Sequence, residues 1–558
     1  MNTANSERKM SRERRMGRAQ RNPSRGQGMA FWRVSLRSTH PTPVRDITMK
    51  MPLFLAVSAV ACVAFGLSPS AAAAEWKVQP GLDASETFTD NLTLAPSGAE
   101  RSDFVTEISP HITLSGTGAR LKFNAMYRMR NFFYARENDA SNTQHHLQAA
   151  AHAELVDELF FVDGKAAVGQ QAISAFGPQA VDNGLLAGNR AEIRTYSISP
   201  TLRHHFGRNV TAEARYTRDS VDTDAGGLLA SRSDRLHLGL NSELAFRTLQ
   251  WNVLYDQQTI NYDHAENVET RMLSGTARYL ITPRFSLNAT AGHEDNSYVS
   301  IGEKPDGGFW SFGATWAPSE RTSVSANAGK RFFGNTFSLN SQHRTRRTVW
   351  SMSYQEDITT ARSQVLVPGS VDTSAFLDQL WSASIPDPLV REQLVSNFIR
   401  DTGLGSFLPF PVNSFTNRVF LQKSAHASVA ISGVRNTLVV GLFRTEREPQ
   451  TSGNADLALP AATRMVLDEK TRQAGVTALW NWRLSSRTSA TLNAGYNRVE
   501  AAATDRQDDN VTVRLGLARQ FQPKLKGGME LRHLRHRSDR GDADYRENAI
   551  AAFVSIAF

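Results

Sequence analysis

The sequence predicts an all-β chain: a transmembrane antiparallel β-barrel of about 22 strands (range about 18–24), with short periplasmic turns, long extracellular loops and one helical loop insertion. Three observations carry that expectation. The chain closes on strict alternation, with Ile550, Ala552, Val554, Ile556 and Phe558 on one side and Ala549, Ala551, Phe553, Ser555 and Ala557 on the other. A strand with one apolar face suits a wall between lipid and water. Connectors between such segments alternate between tight and long, and an export signal precedes the first of them.

Taken from the start, residues 1–48 are Arg-rich and polar, with no apolar periodicity. They read as disordered or as a mis-assigned start, because Met49-Lys50-Met51 would begin an ordinary export signal. Lys50, the apolar stretch Met51–Leu67 and the run Ala71–Ala74 make residues 49–74 a signal peptide, cleaved after Ala74. The stretch is short for a membrane helix, and Pro69 and small residues interrupt its end.

This placement explains the charge. The chain has 63 Lys and Arg against 54 Asp and Glu, a net charge of +9. Twelve basic and three acidic residues lie in 1–50, and 51–74 carries no charge. The segment 75–558 is therefore close to neutral, and no nucleic-acid partner is expected. The only cysteine, Cys62, falls inside the signal, so disulfides and thiolate metal sites are excluded downstream of it. Ala59-Val60-Ala61 also lacks the leucine usual before a lipid-anchored cysteine.

From residue 75 to 558 the chain is expected to form the barrel. Leu121, Phe123, Ala125, Tyr127 and Met129 alternate with Lys122, Asn124, Met126, Arg128 and Arg130. The same period runs through Val210–Thr217, Phe285–Gly292 and Val511–Ala518, and further strands fit near 232–246, 248–261, 320–332, 417–432, 435–446 and 486–499. Gln522-Pro523, Leu484-Ser485, Gly433-Val434, Pro318-Ser319, Thr282-Pro283, Arg247 and Gly207 mark tight connectors. Between them, 500–507, 448–467, 358–416, 298–307, 262–266, 219–231 and 169–190 are longer. Short periplasmic turns and long outer loops would have that phase if the C-terminus is periplasmic. Trp251, Tyr255, Tyr279, Trp310, Trp316, Trp350, Tyr354, Trp480, Trp482 and Tyr496 fall near the ends of apolar faces, where interface girdles sit.

One stretch changes period. Asp387-Pro388 looks like a helix N-cap with proline at the first helical position, and Val390, Leu394, Val395, Phe398 and Ile399 keep helical spacing up to Gly403. A shorter helix fits Ser374–Ser382. The segment 373–403 is expected either to fold into the lumen as a constriction or to cap the outer mouth, with Asp387, Leu394 and Phe398 as its marker residues.

Catalytic motifs such as Gly-x-Ser-x-Gly, His-Glu-x-x-His and a phosphate loop do not occur. His145-His146 and His204-His205 are adjacent, so within a strand each pair points to opposite faces and shares no metal. No enzyme activity, cofactor or metal is expected. Alternation starts at Val78, which leaves no N-terminal globular plug of the kind that fills TonB-dependent transporters. The faces opposite the apolar ones carry Arg128, Arg130, Arg203, Arg215, Arg278, Arg331, Arg514 and Arg532, with Glu213, Glu243, Asp256, Glu294 and Glu530 among them. An Arg facing mid-membrane lipid would cost about 2–4 kcal/mol, so these are assigned to the lumen. There they form a hydrated path for a polar or anionic solute, or an ion-pair lattice that stiffens the barrel.

The C-terminal alternation resembles the assembly signal of bacterial outer-membrane proteins, with Val554, Ile556 and Phe558 as its residues. It implies outer-membrane lipid and the assembly machinery as partners. Near residue 75, Trp76-Lys77-Val78-Gln79-Pro80 is followed by Glu86-Thr87-Phe88-Thr89-Asp90-Asn91-Leu92, Ser102-Asp103, Ile108-Ser109-Pro110 and Ile112. Together with Arg346-Arg347-Thr348-Val349-Trp350, Tyr354, Ile385-Pro386-Asp387-Pro388 and Gly433-Val434-Arg435-Asn436, these resemble the outer-membrane barrels associated with the PEP-CTERM/exosortase system of exopolysaccharide-producing Gram-negative bacteria. That resemblance implies a link to exopolysaccharide loci, with exopolysaccharide and periplasmic export proteins as partners, and brings no catalytic residues. The expected function is a channel or secretion component for polysaccharide or another polar solute. The alternatives are a docking barrel that holds extracellular matrix and an outer-membrane hydrolase assembled across strands.

Overall fold

The computed structural model describes residues 75–558, except 208, 226–227, 243–247, 299, 302–303, 367–387, 389–390, 392–394, 396–413, 452–469, 503 and 541–542. The expectations for 1–48 and 49–74, the helix at Ser374–Ser382, Asp387, Leu394, Phe398 and Glu243 lie outside the described residues.

Twenty-two strands follow one another. They are β1 (Glu75–Thr89), β2 (Asp103–Thr117), β3 (Leu121–Tyr134), β4 (Asn142–Val156), β5 (Phe160–Ala172), β6 (Arg190–Phe206), β7 (Val210–Thr223) and β8 (Ser231–Ser242). Next come β9 (Leu249–Tyr262), β10 (Val268–Thr282), β11 (Phe285–Asn296), β12 (Asp306–Ser319), β13 (Thr322–Arg331), β14 (Gly334–Arg344) and β15 (Thr348–Thr360). The last are β16 (Val419–Ser432), β17 (Asn436–Pro449), β18 (Thr471–Ser485), β19 (Thr488–Ala501), β20 (Arg506–Gln522), β21 (Leu525–Ser538) and β22 (Tyr545–Ala557). Each pairs antiparallel with its sequence neighbours. β22 returns to β1 over Gly81–Thr89, which closes the sheet into a barrel with no free edge.

Connector lengths keep the expected phase. The termini share one end with short turns such as 118–120, 283–284, 433–435 and 523–524, and the opposite end carries 90–102, 173–189, 361–418 and 450–470. Phe332-Phe333, between β13 and β14, is the exception, a two-residue hairpin at the long-connector end. Bulges beside five short turns (Glu154/Val156, Leu280/Thr282, Trp316/Ser319, Arg483/Ser485 and Gln520/Gln522) add local twist where the chain reverses.

The two faces divide as their chemistry requires. Ile550, Val554, Leu515, Leu517, Trp310, Trp316 and Trp480 are exposed on the outer face. Outward tyrosines present their hydroxyls to polar neighbours: Tyr496, towards the long-connector end of β19, donates to Asp509 at 2.7 Å and Tyr255, in the middle of β9, to Gln257 at 3.0 Å. The Trp480 and Trp482 rings stack at 5.7 Å towards the short-turn end. Apolar core exists on the inside, where connectors fold inward and meet the wall.

A helix that the periodicity did not mark, α1 (Ala361–Leu366), leaves β15 directly. Of the expected 373–403 segment, Pro388, Arg391 and Val395 are described and helical, and Val395 is buried.

Candidate functional site

The connector 173–189 between β5 and β6 is built to hold its own shape. At its neck the Asn189 amide donates to the Ser174 carbonyl at 2.7 Å and accepts from the Ser174 N–H at 2.9 Å. Gln179 donates to the Ser174 and Gly177 carbonyls at 2.9 and 2.8 Å. A Cβ on Gly177 would stand 2.4 Å from the Asn189 side chain, so only glycine allows this approach. At the tip Asp182 accepts from the Gly184 N–H at 2.8 Å, the local bond that makes Asp-x-Gly a turn.

The connector runs across the barrel interior. Ala175 and Phe176 pack on Val499 and Ala501 of β19, eight strands around the wall from β5. Arg506 donates to the Phe176 carbonyl at 2.8 Å with its guanidinium over the ring. Leu185 packs with Leu94, Leu534 and Tyr545, the Gln179 N–H donates to the Tyr545 hydroxyl at 2.8 Å, and the Tyr134 hydroxyl donates to the Gly184 carbonyl at 3.0 Å.

Asp182 sits at the centre of this crossing. Its carboxylate pairs with Arg532 at 2.7 Å, and Arg532 also holds Glu547 at 2.7 Å. Arg190 donates to the Asp182 and Ala180 carbonyls, and Arg514 to the Val181 carbonyl. Arg130, paired with Glu107 at 2.7 Å, completes the surround. Burial pushes the Asp182 carboxyl up, but the guanidiniums of Arg532, Arg130 and Arg514 and the Gly184 N–H outweigh it and hold it well below the usual carboxylate range. Arg532 lies six residues inside the long-connector end of β21 and its guanidinium reaches Glu547, two residues inside β22, so the tip sits just inside the long-connector end of the wall. A small cavity beside it is lined by Ser85, Thr87, Thr89, Glu107 and Arg532.

A second inward fold comes from the β15–β16 connector. Ala361 and Val365 of α1, with Phe415 and Phe420, pack against Ala191, Ile193, Val221, Leu228 and Leu229 from the β6–β8 side. Arg362 is fully buried there: its Nε donates to Ser231 at 2.6 Å and its guanidinium pairs with Asp219 of β7. The two inward folds touch, with the Phe415 N–H donating to the Ile173 carbonyl at 2.8 Å and the Ala175 N–H to the Ser414 hydroxyl at 3.2 Å. The described parts of both connectors thus pack against the inner wall and against each other.

The residues assigned to the lumen from sequence fall into separate groups. Arg130, Arg514 and Arg532 converge on the Asp182 crossing. Arg128 pairs with Asp83 at 3.1 Å, Arg203 and Arg215 with Glu213 at 2.9 and 3.3 Å, and Asp256 with Arg235 at 2.8 Å. Arg331 bridges Glu294 and Asp357 at 2.6 and 2.7 Å. Arg278 reaches the Ser286 hydroxyl at 2.9 Å and, among the described residues, no carboxylate. Val554, Ile556 and Phe558 share one face of the closing strand, and the Phe558 N–H donates to the Pro80 carbonyl at 2.9 Å. Asp182, Arg190, Asp219 and Arg362 escaped the sequence reading. The signal available for the first was a loop that is too apolar for solvent, with Phe176, Val181, Leu185 and Leu186 around Asp182-Asn183-Gly184.

No group of three or more His, Cys, Asp or Glu among the described residues is placed to hold a metal ion. His145 faces outward to the Tyr127 hydroxyl at 2.8 Å, while its neighbour His146 stands opposite Arg128 in the strand register.

No family model matches the chain, and no curated protein matches it. Among solved structures, the FrpB iron transporter from Neisseria meningitidis is similar with a TM-score of 0.46 at 10% identity, covering 86% of this chain and 81% of that one. The siderophore receptor PirA from Pseudomonas aeruginosa gives 0.42 at 12% identity, covering 86% and 80%. OpdK with vanillate, from the same organism, gives 0.32 at 8%, covering 86% and 99%. Likenesses this distant carry no argument about activity, and the strand count and closure rest on this chain's own pairing.

Proposed function

We propose that the chain is an outer-membrane barrel that lets polysaccharide, or another polar solute, cross, as a channel or secretion component of an exopolysaccharide/PEP-CTERM system, with the two inward-folded connectors as its gate. The observation that carries this reading is the pair of ion-paired ties, Asp182–Arg532 to β21 and Arg362–Asp219 to β7, that hold two connectors against the inner wall. The outward apolar belt, the tyrosine and tryptophan girdles and the one-sided long connectors support a place in the outer membrane. The short motifs at Trp76–Pro80, Glu86–Leu92 and Ile385–Pro388 support the exopolysaccharide link. The reading assigns the chain no catalysis.

Size separates a path from a filled barrel. Twenty-two strands spaced about 4.8 Å apart and tilted about 40° enclose a ring about 40 Å across, taken as circular. The inner faces of β11–β14 carry Ser286, Asn288, Thr290, Gly313, Ser325, Asn327 and Ser338. Side chains that short do not fill such a ring. Removing both ties, with Asp182→Asn and Arg362→Ala, should raise unitary conductance in planar bilayers over the unaltered protein. A correctly folded barrel that stays silent in both forms overturns the gated path and favours a docking barrel stiffened by its ion-pair lattice.

A further inference from the structure

The Asp182 carboxylate is a tethered anion inside a set of arginines, and the wall beside it is incompletely bonded. Arg514 is buried, yet its Nε finds no acceptor among the described residues and Glu530 stands 3.7 Å from its guanidinium. In register with it or close by on β19 and β20 are Asn493, Asn497 and Asn510, all buried. Asn493 Oδ1, Asn497 Oδ1 and Asn510 Nδ2 likewise lack partners among the described residues. Buried polar atoms without partners are costly, and a row of them calls for water, an ion or a polar ligand to complete their bonding. Charge agrees. With the connector in place, Arg130, Arg190, Arg514 and Arg532 face Glu107, Glu530, Glu547 and Asp182, four against four. Lifting the connector removes one carboxylate and leaves a single positive charge uncompensated on the inner wall.

We propose that the inner wall of β19–β21 binds an acidic sugar unit, whose carboxylate takes the place of the Asp182 carboxylate at Arg532 and of the Val181 carbonyl at Arg514 while its hydroxyls engage Asn493, Asn497 and Asn510. This deepens, and rests on, the reading of the barrel as a solute path. Arginine offers a fork of donors that matches a carboxylate, and the asparagine amides can both donate to and accept from hydroxyls. A carboxylate without a sugar would satisfy only the arginines. A neutral sugar would leave the charge uncompensated. Asp182 therefore acts as a built-in competitor: solute binding and connector seating compete for the same two guanidiniums, and affinity is lowered by the fraction of time the connector is seated.

The test is calorimetric titration of the full-length protein in detergent with trigalacturonate, maltotriose and tricarballylate. Trigalacturonate should bind at least tenfold more tightly than either of the others. Asp182→Asn should tighten it a further tenfold or more, and Arg514→Ala or Asn493→Ala should weaken it tenfold or more, in variants that keep heat-modifiable gel mobility as a sign of a closed barrel. Equal binding of tricarballylate overturns the sugar assignment, and no tightening in Asp182→Asn overturns the competition. Binding without conductance would sink the path and leave this site standing, whereas conductance without binding would do the reverse.

Discussion

Replacing Arg362 with methionine should release the β15–β16 connector from the wall. The side chain is fully buried, its Nε bonds Ser231 at 2.6 Å, and its guanidinium pairs with Asp219, itself 8% exposed. Removing one partner of a buried ion pair costs about 3–5 kcal/mol, because the other charge is left uncompensated. Here the connector can lift and let water reach Asp219, so the penalty falls on the seated state and not on the barrel. At 1.4 kcal/mol per decade, opening should increase about a hundredfold to several thousandfold. The chain has one cysteine, Cys62, so Cys62→Ser with Val365→Cys gives a single reporter at a position now 8% exposed. Its maleimide labelling rate should rise by that factor in Arg362→Met, with barrel melting unchanged. Asp219→Leu added to Arg362→Met should slow labelling again, since an apolar pair of similar volume removes the stranded charge. Labelling within twofold of the parent in Arg362→Met would refute the latch. Failure of the double variant to recover would refute the charge argument.

Other outcomes follow from the same geometry. Gly329→Val should abolish heat-modifiable folding, because a Cβ there would lie 2.1 Å from the Trp310 carbonyl oxygen and 2.7 Å from Ser311 Cβ, both in the neighbouring strand. Leu515→Arg, on the outward face, should lower stability in liposomes by about 2–4 kcal/mol in urea titrations if Leu515 faces mid-membrane, as its place in the apolar belt implies. Asp182 has a lowered carboxyl pKa, so its contribution to the seated connector is complete above about pH 4 and fades only as pH falls through the lowered value. In an Arg362→Met background, where the other tie is absent, open probability should therefore stay flat from pH 8 to about 4.5, and a midpoint near 6 would contradict the arginine surround.

The barrel was legible because its wall obeys one rule repeated at every strand. Leu121–Met129 and Val511–Leu517 show apolar residues at every second position, and pairing with both neighbours turns that period into an outer face. The crossing was not legible, because a connector's period says nothing about where it goes. Asp182 meets Arg532 across 350 positions of sequence, and only the closed ring brings them together. Arg130, Arg514 and Arg532 were assigned to the lumen by the cost of placing them in lipid, and that argument sets the face without setting the partner. α1 was missed for a local reason: six residues supply too few turns for a helical period to stand out against the strand before it.

The seam between β1 and β22 joins Gly81 to Ala557, almost the whole described chain apart. Hairpins elsewhere form between neighbours and close small loops at modest entropic cost. The seam closes the largest loop the chain can make, and none of its hydrogen bonds is available until the last strand exists. Until then both edge strands stand open, and each is a template for pairing with the wrong partner. Completion of the ring is thus a single late event, placed in the final thirteen-residue strand. Shortening that strand by a few residues should cost the entire barrel, whereas losing as many from an outer connector should cost only a loop.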